Sequence, residues 1–109
     1  MFSKIFTLPI VLITLTALNG CSDNKSVVRV ATSPFYPPVV YKKDGTPVGI
    51  DIEIFKAFCA KISCSPQIKE YDFPVMLQAV ANGAADIAFA GISITEERQT
   101  TLDFSQPYF

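Results

Sequence analysis

The chain has 109 residues, half of them apolar, with 9 Lys and Arg against 10 Asp and Glu and no histidine. That near-neutral balance, with its basic residues scattered, excludes an electrostatic nucleic-acid surface. The missing histidine removes the commonest metal ligand and the commonest general base, and the remaining residues imply no cofactor and no metal.

At the amino terminus, Met1-Phe-Ser-Lys4 leads into an almost unbroken apolar run from Ile5 to Leu18. The run is shorter than the roughly 20 residues of a membrane-spanning helix but fits the core of an export signal. Pro9 inside it disfavours a helix that stays in the bilayer. Leu18-Asn-Gly-Cys21 closes the segment and resembles a bacterial lipoprotein box with Cys21 as lipid acceptor, although Asn19 departs from the usual small residue. The competing reading is an ordinary secretory signal cut nearby, with Cys21 a bystander. On the lipoprotein reading, residues 1–20 are a signal peptide and 21–26 a polar tether to the lipid anchor. Residues 27–109 are then a domain in the periplasm or at the cell surface.

Val27 to Thr32 is β-branched and alternates little, which predicts a buried strand. Pro34, Pro37 and Pro38 end it in a stiff loop that presents Phe35 and Tyr36. Val39 to Tyr41 and Pro47 to Gly49 flank Asp44-Gly45, a turn signal. Asp51 is expected to cap the next helix, in which Ile52, Phe55, Phe58, Cys59 and Ile62 share one face. Cys59 and Cys64 can bridge that helix's end to the following turn in an oxidising compartment; two small buried thiols are the alternative. Gln67 to Tyr71 alternates like a strand. Phe73 to Asn82 reads as a second helix, with Met76, Leu77 and Val80 inward and Gly83 as C-cap. Asp86 to Ala90 is the next strand, and Thr95 can cap a short helix through Leu102.

This order of strand, helix, strand, helix, strand, helix predicts an α/β fold, a parallel sheet with helices on both faces. Ligands of such sheets sit beyond the carboxyl ends of the strands. Both Ser33 to Tyr36 and Ala90 to Ser93 fall there. The second of these begins Ala90-Gly-Ile-Ser93-Ile-Thr95-Glu-Glu-Arg98, which sets a bare glycine, a hydroxyl and an arginine close together. A backbone N–H, an O–H and a guanidinium that binds two oxygens at once are the donors a small carboxylate needs. Singly, each has a plainer reading: Arg98 a solvated surface charge, Gly91 a turn glycine, Tyr36 a loop-packing ring.

Taken with Tyr36-Pro-Pro38, Val48-Gly-Ile-Asp51-Ile-Glu53 and Leu102-Asp-Phe-Ser-Gln-Pro-Tyr108, that stretch resembles the periplasmic amino-acid-binding proteins of ABC importers, the bacterial extracellular solute-binding proteins of family 3. The resemblance runs from about Val27 to Phe109. It implies a periplasmic-binding-protein-like (Venus flytrap) first lobe, truncated before the second lobe. In the family the segment like Asp103 to Tyr108 leads on toward that lobe, so an amino-terminal fragment is expected.

The resemblance further implies that Arg98 clamps the ligand α-carboxylate, a pair worth roughly 1.5–3 kcal/mol. Ser93 would donate its hydroxyl and N–H to the same group. The Gly91 backbone would reach the ligand, and Tyr36 would pack over the ligand side chain. The expected function is binding of a polar amino acid with hinge closure, read by an ABC permease in the membrane, without covalent chemistry; the protein is expected not to be an enzyme. A single lobe is expected to bind weakly. Some relatives carry a disulfide near the place of Cys59 and Cys64. Ser33 stands where several relatives selective for basic or amide ligands have an aspartate, which argues against a strictly cationic ligand. The same two-lobe fold also resembles extracytoplasmic enzymes, cyclohexadienyl dehydratases and the amino-terminal module of lytic transglycosylases. Glu96 or Glu97 would be the acid or base there; their plainer role is to favour a helix dipole.

Overall fold

A computed structural model of the chain describes Gly20 and residues 24–109. Residues 1–19 of the expected signal peptide, together with Cys21, Ser22 and Asp23 of the expected tether, lie outside the described residues. Among the described residues, no helix is long and apolar enough to cross a membrane.

The elements follow as β1 (Ser26–Thr32), β2 (Phe35–Tyr36), β3 (Val40–Lys43), β4 (Thr46–Val48), α1 (Ile50–Ile62), β5 (Cys64–Glu70), α2 (Phe73–Ala81), β6 (Ile87–Phe89) and α3 (Glu96–Gln99). Strands β5, β1 and β6 form a parallel sheet in that order, with Val30 opposite Ile68 on one side and Ile87 on the other. The chain leaves β1 for β5 on one edge and then crosses back over β1 to β6. Two crossovers of one hand running in opposite directions put their helices on opposite faces. Accordingly Val30 packs with Phe55 and Cys59 of α1, and Ala31 packs with Met76 and Ala79 of α2. The α2 face is rich in alanine (Ala31, Ala79, Ala85 and Ala90), and the wholly buried Met76 fills the space such small side chains leave.

The small antiparallel sheet β2-β3-β4 turns through Asp44 and Gly45, both at positive φ. A primed two-residue turn of this kind matches the twist of the strands it joins. The next turn depends on Gly49. At φ +130° it brings its backbone so close to Val39 that an added Cβ would lie 2.4 Å from the Val39 oxygen. The Ile50 and Asp51 N–H groups can then reach the Pro38 and Val39 carbonyls at 3.2 and 3.0 Å. Those bonds satisfy N–H groups that a helix start leaves unpaired.

Gly49, then, is the N-cap of α1, and Asp51 sits inside the helix with its side chain turned to other partners. This corrects the expected cap. Two members of the expected inner face also point elsewhere: Phe58 and Ile62 are about half exposed, at 44% and 53%. Phe58 lies at the margin of the buried arc and Ile62 in the last turn, beyond the sheet. In α2 the cap is Asn82, with Gly83 following at φ +80°. Helix α3 stops at Gln99, and its end is continued by single turns that bring the Leu102 N–H to the Arg98 carbonyl.

Two devices pin β1 to its neighbours. Arg29 grips Asp86 with Nη2 and Nε at 2.7 and 3.1 Å; the Arg29 N–H also donates to Asp86 Oδ2, and the Asp86 N–H to the Arg29 carbonyl, each at 2.8 Å. At the other end, Thr32 Oγ1 donates to the Phe89 carbonyl at 2.6 Å. On the far edge, a disulfide joins Cys59 in the last turn of α1 to Cys64 at the start of β5, with Cα atoms 4.8 Å apart. Ser63 between them adopts the left-handed conformation.

Closing so short a loop removes little unfolded-state freedom, so replacing both cysteines by serine should lower stability by only about 2 kcal/mol. Chemical denaturation of the oxidised parent and the double variant measures that difference. The Arg29 guanidinium holds the Asp86 carboxyl at about 2, below its ordinary 3.8. A depressed folded-state value means the pair's contribution is complete above pH 3.8 and is lost as pH falls through about 2. Acid unfolding curves of Asp86→Asn should therefore be flatter than the parent's in that window, and parallel curves would count against the pair.

Candidate functional site

Strand order reverses around β1, so the loops leaving β1 and β6 open side by side at the carboxyl edge of the sheet, where α/β sheets bind ligands. The loop after β1 carries Ser33 and runs directly into β2, which presents Tyr36. The loop after β6 carries Gly91 and Ser93 and runs into α3, which presents Arg98.

Tyr36, Gly91 and Ser93 line one cleft of about 370 Å³, whose other wall is residues 105–109. A second cavity of about 290 Å³, lined by Ser33, Phe35, Tyr36, Phe73, Ala90 and Gly91, shares two residues with the first. Gly91 touches Tyr36 directly: a Cβ added at Gly91 would come within 3.0 Å of the ring. At φ +59° and with that ring against it, glycine is the residue this position accepts most easily.

Arg98 joins the group through Ser93. Its Nη1 donates to the Ser93 carbonyl at 2.8 Å, and the guanidinium carbon lies 5.2 Å from the centre of the Phe73 ring. Thr95 caps α3 by accepting the Arg98 N–H, which fixes the start of the side chain. Among the described residues Arg98 pairs with no carboxylate, and its Nε and Nη2 donate to no protein atom. The Ser93 N–H and hydroxyl are likewise without a partner there. Three of the four residues singled out from sequence, Tyr36, Gly91 and Ser93, therefore share the cleft, whereas Arg98 lines neither cavity and joins them only through the Ser93 carbonyl.

One donor is not free. The Gly91 N–H is held by Asp51 Oδ2 at 2.6 Å, so the expectation of an exposed glycine N–H gives way to a glycine whose remaining polar atom is its carbonyl. Asp51 Oδ1 accepts the Tyr108 hydroxyl at 2.8 Å. Burial, and then that bond, push the Tyr108 phenol far above its ordinary value, so it stays a donor. Sequence reasoning missed both residues as parts of the site. Asp51 looked like a cap, and nothing local marks a pair separated by 57 positions. Phe73 was read only as a helix start. Among the described residues no group of three or more His, Cys, Asp or Glu side chains could hold a metal ion.

The model of the bacterial extracellular solute-binding proteins, family 3, matches residues 28–109. An arginine-binding extracellular protein of Bacillus subtilis is 30% identical over 84% of this chain and 36% of its own length. A cyclohexadienyl dehydratase of Pseudomonas aeruginosa is 32% identical over 75% of this chain and 31% of its own. The chain thus spans about a third of the length of these relatives. Among solved structures, an ancestral arginine-binding protein bound to arginine superposes with a TM-score of 0.74 at 38% identity, covering 78% of this chain and 38% of that one. The arginine-bound form of domain 1 from TmArgBP, in a point variant, superposes with a TM-score of 0.72 at 26% identity, covering 77% of this chain and 66% of that one.

Proposed function

Because the chain belongs to the bacterial extracellular solute-binding proteins of family 3, we propose that its cleft holds a polar amino acid by the α-carboxylate. The observation that carries this reading is Arg98: partly buried, stacked on Phe73, and unpaired with any acid among the described residues. A partly buried guanidinium without a counter-ion among the described residues attracts an anion, and its free Nε and Nη2 form the fork that fits a carboxylate. Ser93, with N–H and hydroxyl unengaged, supplies two further donors. Gly91 offers its carbonyl to the ligand ammonium, and Tyr36, 57% exposed over the cleft, packs on the ligand side chain.

Neither cavity is lined by an acidic residue on this lobe. With Ser33 at its floor, the lobe meets a ligand side chain with aromatic faces and a hydroxyl. A guanidinium is met there by cation–π attraction rather than by an ion pair. The arginine-bound structures of an ancestral relative and of a single domain 1 support placing the ligand on this lobe. Ligand docked here would draw a second lobe over it by contacts made only in the closed state, and a membrane permease would read that state. Anchoring through Cys21, outside the cytoplasm, completes the proposal. The dehydratase relative favours an enzyme as the second reading. Against it, Glu96 and Glu97 are exposed in the first turn of α3, where acidic side chains favour the helix dipole.

Calorimetric titration with L-arginine and L-glutamine tests the clamp. Arg98→Ala should weaken binding by roughly 2 kcal/mol, about thirtyfold. Unchanged affinity would remove Arg98 from the site.

A further inference from the structure

Three stretches far apart in the chain meet at one buried carboxylate. Asp51 is wholly inaccessible and is the one charged side chain among the buried polar residues described. It lies in the first turn of α1, where the helix dipole favours a negative charge. Its two oxygens face different elements: Oδ2 takes the Gly91 N–H and Oδ1 the Tyr108 hydroxyl. Both bonds are charge-assisted, and a buried carboxylate deprived of them would be strongly disfavoured, so the three groups hold one arrangement.

Asp51 lines neither cavity, yet what it holds does. Gly91 lines both and Tyr108 lines the larger. From Gly91 the chain reaches Ser93 in two residues, and the Ser93 carbonyl is the acceptor on which Arg98 rests. A shift of the Gly91 N–H would pass directly into the position of the guanidinium. We infer that Asp51 is the positioning residue of the cleft, fixing the Gly91–Ser93 loop and the Tyr108 wall against each other without touching the ligand. Its effect on affinity rests on the carboxylate-binding reading above; its effect on the loop does not.

The test is the amide proton spectrum of the parent protein, Asp51→Asn and Tyr108→Phe, each with and without L-arginine. A neutral amide accepts more weakly than a carboxylate, so the Gly91 proton should move upfield in Asp51→Asn. Removing the phenol leaves more of the charge to Gly91, so the same proton should move downfield in Tyr108→Phe. Opposite signs are what a general loosening of the fold would not give. Both variants should also bind L-arginine about tenfold more weakly. A Gly91 proton that moves in neither variant overturns the inference, and so does parental affinity in both. Should the parent not bind L-arginine, that ligand assignment fails and the Gly91 shifts alone decide the role of Asp51. Should Asp51→Asn not fold, the direction of the shift in Tyr108→Phe decides it.

Discussion

Everything in the cleft depends on β1 being the middle strand of a parallel sheet and being locked in register to β6. Because β5 and β6 flank β1 on opposite sides, the two loops that carry Tyr36 and Gly91 emerge next to each other. The lock is polar at both ends. Arg29 and Asp86 close the entry end of the strand pair, and the Thr32 hydroxyl closes the exit end on the Phe89 carbonyl. A slip of one residue would turn every side chain of β6 to the other face. The Thr32 bond lies one strand residue from Ala90, where the loop of Gly91 and Ser93 begins. Backbone order thus fixes the site before any side chain of the cleft is considered.

Polar groups at this edge are arranged in opposite ways on the two sides of the loop. Beneath it, Asp51 is buried and fully satisfied, so the floor is rigid and does not compete for a ligand. Above it, Arg98 and Ser93 keep donors without a protein partner among the described residues. Phe73 under the guanidinium keeps it from folding down onto the protein surface, and the Ser93 carbonyl holds one nitrogen in place. Preorganisation of this kind reduces the ordering that a ligand must otherwise impose. Gly49 contributes at one remove: its close approach to Val39 sets the start of α1, and hence the position of Asp51.

Much of this was legible in the residues. The Asp44-Gly45 turn and the Met76-centred helix are local patterns and fold as read; the β-branched run forms β1, but only Val30 to Thr32 are buried and Val27 is 55% exposed. The alternation of strands and helices was enough for the parallel sheet. What escaped is non-local. The N–H groups at the start of α1 find their acceptors in Pro38 and Val39, so the cap is Gly49 and a capping aspartate is not needed. Phe58 and Ile62 follow the helical spacing of Phe55, but the sheet beneath is too narrow to cover them. The bridge from Gly91 through Asp51 to Tyr108 leaves no periodic trace. Three of the four quoted motifs each contribute one member of it, and a physical link among them becomes visible only when the chain is folded. Tyr36, Gly91 and Ser93 line one cleft and Arg98 rests on the Ser93 carbonyl; that they hold an amino acid is the reading proposed for that geometry.

The claim at the centre is that this edge recognises an α-carboxylate rather than an amino-acid side chain. Agmatine keeps the guanidinium and carbon chain of arginine and lacks the carboxylate. Calorimetric titration of the protein with L-arginine and with agmatine separates the two recognitions. Binding of L-arginine with agmatine at least tenfold weaker is the expected result. Equal binding of the two would show that Arg98 and Ser93 do not clamp a carboxylate, and that the cleft is built for something else.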